Sequence, residues 1–175
     1  MLNDNINTVL NRFTKHVIQQ SKANLTRQGK NNTKGLYNSI KGGNKVSKNS
    51  IALWFEMMEY GEYQDKGVKG KRSSLKAPKS PFKFGTGTGK KGGLTEGILK
   101  WVQRKRFQFK DKDGKFMSYK STAWLITKSI YNKGLKPSMF FTKPFESAYK
   151  NLPAELIEKY GLTMEDQLLE IIKDI

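Results

Sequence analysis

At 175 residues, 36% hydrophobic and 27% charged, the chain is expected to form one domain with an appendage, a modest core and long polar excursions. It has no cysteine, which excludes disulfides, thiolate metal sites and cysteine nucleophiles. Its formal net charge of +18 favours polyanions; no apolar run approaches the ~18 residues of a membrane span and no signal-peptide layout opens the chain, so a soluble protein without a membrane partner is expected, cytoplasmic or built into a particle assembled there.

Residues 5–24 predict a helix, because Ile6, Val9, Leu10, Phe13 and Val17 recur along one helical face and Asn3, Asp4 or Asn5 can cap its start. His16 is the single histidine, a surface or stripe-edge residue that cannot build a metal site alone. After a polar break at Gly29–Lys34, Thr33–Ile40 reads as a short helix or turn feeding a strand through a bend at Gly42–Gly43. Val46–Phe55 is a hairpin arm or one strand. The apolar run Ile51–Met58 has no glycine or proline and reads as a strand buried on at least one face; Ala52, Leu53, Glu56 and the two methionines leave a helix open. The run then turns aromatic and acidic, with Tyr60 and Tyr63 bracketing Gly61–Glu62, and closes on Gly67. The rest of the chain is expected to pack on this stretch or project from it.

Lys66–Gly93 carries nine basic residues, seven glycines and no acid, so a mobile, projecting basic loop is expected. Gly85–Lys91 imitates a phosphate-binding loop but fails on spacing. Phe84 stands where the first glycine of G-x-x-x-x-G-K-[ST] belongs, and Lys91 replaces the hydroxyl residue that would meet magnesium. A dinucleotide fingerprint fails too, since Lys90 takes the place of its third glycine. Lys69, Lys71, Arg72, Lys76, Lys79, Lys83, Lys90 and Lys91 are the candidate contacts to phosphate or to a neighbouring subunit; a solvated, unengaged loop is the plain alternative.

Leu94–Arg106 predicts a short helix with Ile98, Trp101 and Val102 inward and a basic end. Phe107–Tyr119 predicts a hairpin turning at Asp113–Gly114. Asp111 and Asp113 open like a calcium loop, but Phe116 and Thr122 occupy its glycine and glutamate positions, so they are read as turn residues. Ser121–Asn132 predicts a helix with Ala123, Ile126 and Ile130 on one face, Trp124, Thr127 and Tyr131 beside it, and Gly134 as its stop. Met139–Thr142 reads as a short strand, and Pro144 begins a helix running to about Leu152. Pro153–Tyr160 and Met164–Ile175 read as helical pieces broken at Gly161, the second with an apolar stripe of Leu168, Ile171, Ile172 and Ile175 that serves as core or as a subunit docking face.

The charge divides along the chain. Residues 151–175 hold six acids and two lysines, a net of −4, which leaves 31 basic and nine acidic groups, a net of +22, over residues 1–150. Only Arg12, Arg27, Arg72, Arg104 and Arg106 are arginine, so nucleic-acid contact is expected at phosphates rather than base edges. No paired carboxylates, nucleophile–base pair or metal cluster stands out, and neither an enzyme nor a cofactor is expected.

Three segments together carry a family likeness: the N-terminal helix with Thr33-x-Gly35-Leu36-x-x-Ser39-Ile40, the run Tyr60-Gly-Glu-Tyr-Gln-Asp-Lys-Gly67, and Lys133–Ala148. In this order and spacing they resemble the tail-completion and neck (head–tail joining) proteins of tailed bacteriophages, whose second motif reads Tyr-Ala-x-Tyr-x-Glu-x-Gly; here Gly61 and Asp65 replace its alanine and glutamate. The resemblance covers about half the chain and implies an α+β fold, a small antiparallel sheet packed by an N-terminal helix and further helices. Residues 1–150 would form that domain, with 66–93 a projecting basic loop, 94–119 an inserted helix and hairpin, and 151–175 an acidic helical C-terminal extension. It further implies a structural virion protein, a homo-oligomeric ring in the neck or tail top that joins the head connector to the tail around the DNA channel. Its partners would be portal or connector and tail proteins, with nonspecific contact to genomic DNA. The alternative is a free, nonspecific nucleic-acid-binding protein acting through the basic loop.

Overall fold

The computed structural model describes residues 2–47, 50–87, 93–150 and 152, with side chains from residue 7 onward. Its order is α1 (Leu2–Arg27), α2 (Gly35–Ser39), β1 (Lys41–Ser47), β2 (Ser50–Glu56), α3 (Tyr60–Lys66), α4 (Gly93–Lys105), α5 (Tyr119–Lys133) and α6 (Thr142–Tyr149). The fold is α+β, with one two-stranded antiparallel sheet among the described residues. The described residues divide into two compact units, residues 2–61 with 139–152 and residues 62–138. Residues 153–175, including both expected C-terminal helical pieces, lie outside the described residues.

The first unit is built on an aromatic box. α1 buries Leu10, Phe13, Val17, Ser21 and Leu25, the spacing of one helical face. β2 alternates, with Ile51, Leu53 and Phe55 inward and Ala52, Trp54 and Glu56 outward. Phe55 meets Phe13 at 6.4 Å, Phe141 at 5.2 Å and Phe145 at 5.8 Å, each edge to face. Phe145 of α6 also stacks on Phe141 and Tyr149, at 5.9 and 6.0 Å. A neighbouring cluster of Leu25, Leu36, Ile40 and Phe140 extends this core beneath α2.

Two local expectations change here. Gly42 and Gly43 are not a bend but lie inside β1, paired with Phe55 and Trp54. The reason is steric. A Cβ on Gly42 would lie 2.7 Å from Phe55 Cδ1, and one on Gly43 would lie 2.6 Å from Trp54 Cζ2, so each glycine leaves room for a ring laid across the strand. The expected strand at Met139–Thr142 is a turn into α6, with Met139 at φ 52°. A strand would send Phe140 and Phe141 to opposite faces; the turn lets both reach the core.

In the second unit, α4 packs on α5, with Val102 and Ala123 buried. Ser118 caps α5, its hydroxyl accepting from the Ser121 N–H. The expected 107–119 hairpin is present in short form: Lys110 bridges Phe116, and the Asp111 carboxylate accepts from the Asp113 and Lys115 N–H groups at 3.0 and 2.9 Å. Asp111 is thus a turn residue.

Residues 67–87 are not the free projecting loop expected from their composition. Ala77 is fully buried and Ser80 nearly so. The Ser80 hydroxyl donates to the Gly67 carbonyl at 2.7 Å and accepts from the Phe82 N–H at 3.1 Å. The Lys69 N–H donates to Phe82 O and the Phe84 N–H to Lys69 O, while Val68 and Leu135 exchange both backbone bonds. The N–H groups of Lys71 and Arg72 donate to the Tyr131 and Asn132 carbonyls, in the last turn of α5. Those carbonyls have no partner within their own helix, and this segment supplies one. The order comes from the backbone, which a count of apolar side chains does not register. Residues 88–92 lie outside the described residues.

Two predictions follow from this packing. Phe145→Ala should cost about 3–5 kcal/mol in urea unfolding, whereas Tyr149→Phe should leave stability within about 1 kcal/mol, because the buried Tyr149 hydroxyl has no hydrogen-bond partner among the described residues. Burial raises the Tyr149 phenol above its usual 10.0, so its native form stays neutral where the unfolded chain ionises. Its contribution is therefore complete below pH 10 and is lost as pH rises through the raised native value; the loss, measured against Tyr149→Phe, should vanish in the variant.

Gly134→Ala tests the close approach that orders residues 67–72. Gly134 has φ 85° and a Cβ there would lie 2.5 Å from Val68 O, whereas Gly114 at φ 77° faces open space. Both substitutions strain the backbone, Gly134→Ala the more because φ 85° with ψ 176° is a conformation that essentially only glycine adopts, and only Gly134→Ala also forces two backbones apart. It should lower the urea midpoint clearly further than Gly114→Ala; equal shifts would show that the approach contributes nothing.

Candidate functional site

The ordered segment carries six of the eight basic candidates. Lys71, Arg72, Lys76, Lys79 and Lys83 are exposed and Lys69 is half-buried, while Lys90 and Lys91 lie outside the described residues. Backbone pairing fixes some of them relative to one another. Lys69 and Lys83 face each other across a parallel bridge, and Lys71 and Arg72 are pinned by their N–H groups to the end of α5. The Lys66–Glu62 and Lys100–Glu96 ion pairs, at 4.0 and 2.8 Å, draw on none of these six cations. No acid occurs between residues 66 and 93 to neutralise them locally.

Aromatic rings underlie this basic surface, a feature composition alone does not disclose. Tyr63 and Phe82 meet edge to face at 4.6 Å, with the Lys66 ammonium 6.0 Å from the Phe82 ring. Phe84 lies against Tyr131 at 5.7 Å, with the Lys71 ammonium 5.9 Å from the Tyr131 ring. The rings hold lysine stems against a fixed surface and lower the freedom each cation loses on meeting an anion. The sequence signal was available in the order Phe82-Lys83-Phe84, which alternates ring, charge and ring.

A second feature went unnoticed in the sequence. An open groove of ≈ 660 Å³ runs along α4 and α5, lined among others by Leu99, Met117, Lys120, Ala123, Trp124 and Leu125. Trp124 is 54% exposed there, with the Lys128 ammonium 4.7 Å from its ring. The signal was the width of the apolar arc on α5: Ala123, Trp124, Leu125 and Ile126 are consecutive and cannot all face one partner helix.

The remaining candidates do not converge. His16 is exposed on α1. Asp65 is buried in α3. Among the described residues no group of three or more His, Cys, Asp or Glu is placed to hold a metal ion, and no helix is long and apolar enough to cross a membrane. Leu168, Ile171, Ile172 and Ile175 lie outside the described residues. The arrangement provides fixed cations beside rings, which suits phosphate oxygens or acidic side chains without reading a base sequence.

Comparison with protein-family models, with curated proteins and with solved structures returns no match.

Titrating the full chain against labelled duplex DNA at several salt concentrations measures what these cations can do. Affinity should fall linearly on a log–log plot, and Lys71→Ala/Arg72→Ala should reduce the magnitude of the slope by roughly two. An unchanged slope would remove this pair from the phosphate-contacting set.

Proposed function

We propose that the chain is a structural virion protein of a tailed bacteriophage, a ring-forming subunit of the neck or tail top that joins the head connector to the tail around the DNA channel. The observation that supports this reading best is the meeting of two motif segments about 70 residues apart in sequence. Tyr60–Gly67 runs through α3 into the Val68–Leu135 pairing, and the Ser138 N–H and hydroxyl both donate to Gln64 O, at 3.1 and 2.6 Å. Gly67, at φ 73°, has no room for a Cβ, which would lie 2.5 Å from Leu135 O. The residues that carry the family resemblance are thus the residues that brace one another. A terminal glycine in the first motif and a proline-containing turn in the second have one physical explanation, close backbone approach.

In this role the described surface does mechanical work. The ordered cations of residues 69–83 face passing DNA phosphate or an acidic neighbour, and the low arginine content suits contact without sequence choice. Assembly takes place in the host cytoplasm, and the protein resides in the finished particle. A second reading, a free nonspecific nucleic-acid-binding protein, is favoured by the lysine–ring alternation at Phe82–Phe84 and Tyr131.

Mass spectrometry of purified virions, with copy number per particle, separates the two. A fixed low multiple per particle is expected. Absence from particles, together with salt-dependent DNA binding by the free chain, would overturn the ring reading in favour of the second.

A further inference from the structure

The groove between α4 and α5 asks for a third helix. Its lining takes Thr95 and Leu99 from α4 and residues between Lys120 and Leu125 from α5, about 6–8 Å of each helix at 1.5 Å per residue. Its lining is apolar at Leu99, Met117, Ala123, Trp124 and Leu125, with Lys120 among the lining residues. Its surroundings are strongly basic: residues 93–133 hold ten basic and three acidic groups, a net of +7. An occupant should therefore be an amphipathic helix of about two turns or more, apolar on one face and acidic on the other.

The chain carries one such segment. Met164, Leu168, Ile171, Ile172 and Ile175 fall at i, i+4, i+7, i+8 and i+11, one helical face. Glu165, Asp166, Glu170 and Asp174 lie between them, against one basic residue, Lys173. As a helix, residues 164–175 would span about 18 Å, enough to cover the lining from end to end. Their acids oppose the sign of the field around α4 and α5, which would guide the approach and fix its orientation.

Resting on the ring reading, we infer that residues 164–175 of one subunit dock as a helix in the α4–α5 groove of a second copy of this chain. The contact is head to tail: the groove and the segment are different surfaces, so every subunit offers one and accepts one. Such contacts close into a ring when the rotation between copies permits. Trp124 is the anchor, because an exposed tryptophan in a groove of this size gains most from being covered. Salt should weaken the association, since both the groove's surroundings and the segment are charged.

The absence of cysteine makes a direct test simple. Two full-length variants, Leu125→Cys and Ile172→Cys, are mixed and oxidised, and the mixed disulfide is identified by peptide mass spectrometry. It should form several-fold more than between Ile172→Cys and Lys112→Cys, placed at the exposed 111–115 turn. In light scattering, full-length Ile171→Asp/Ile172→Asp should drop from the assembled mass to the monomer. A mixed disulfide no more abundant than the control, or a Leu125→Cys/Ile172→Cys chain that links only within itself, would overturn the inference. Assembly that persists without the mixed disulfide would sink this docking mode and leave the ring reading standing. The mixed disulfide in a protein absent from virions would sustain the docking and sink the ring.

Discussion

Close approach of two backbone segments governs the second unit. Residues 67–72 run against residues 131–137 with no space for side chains between them: a Cβ on Gly70 would lie 2.2 Å from Asn132 O, and those on Gly67 and Gly134 would each lie 2.5 Å from a facing carbonyl. What this contact provides is hydrogen bonding. Val68 and Leu135 satisfy each other, and Lys71 and Arg72 satisfy carbonyls that the end of α5 leaves open. The glycines therefore make order possible where their number suggested flexibility. A segment poor in apolar side chains folds because another segment needs its N–H groups.

The consequence for function runs through charge. Six cations are carried on a backbone that is paired at Val68, Lys69, Lys71, Arg72 and Phe84, and two lysine–ring pairs stiffen the surface further. A polyanion meeting such a surface loses less of its binding energy to ordering the protein than it would on a loose arm. The same ordering fits a subunit in a particle, where a basic surface must keep its place beside DNA or a neighbouring ring. The apolar groove on α4 and α5 is a separate surface with a different demand, one that an acidic amphipathic helix meets. On the proposed reading, the two surfaces would serve contacts with a polyanion and with other subunits.

Much of this was legible in the sequence, for reasons that differ by element. α1 could be read because Phe13 and Val17 sit on one face of a long uninterrupted period. β2 could be read because Ile51–Phe55 is a short apolar run with no glycine or proline, the form of a strand covered on one face. α5 announced its end at Gly134, but its start was placed two residues late because the Ser118 cap was not recognised. Most of the other failures turned on what a residue's immediate sequence does not show. Gly42–Gly43 suggested a bend because nothing local reveals that Trp54 and Phe55 lie across them. Phe140 and Phe141 suggested a strand because their joint burial depends on the left-handed turn at Met139. The basic cluster was named from the sequence, but its rigidity was not, since its hydrogen-bond partners lie some 60 residues on.

The claim that the basic segment is an ordered surface held by backbone pairing is tested most directly by amide hydrogen exchange on the full chain, resolved residue by residue. The account predicts that the amides of Val68, Lys69, Lys71, Arg72 and Phe84 exchange slowly, together with those of the last turn of α5, and that the unpaired Lys76 amide exchanges freely. Exchange of all these amides at the rate of an unstructured chain would contradict it, and would return residues 66–87 to the status of a loose basic arm.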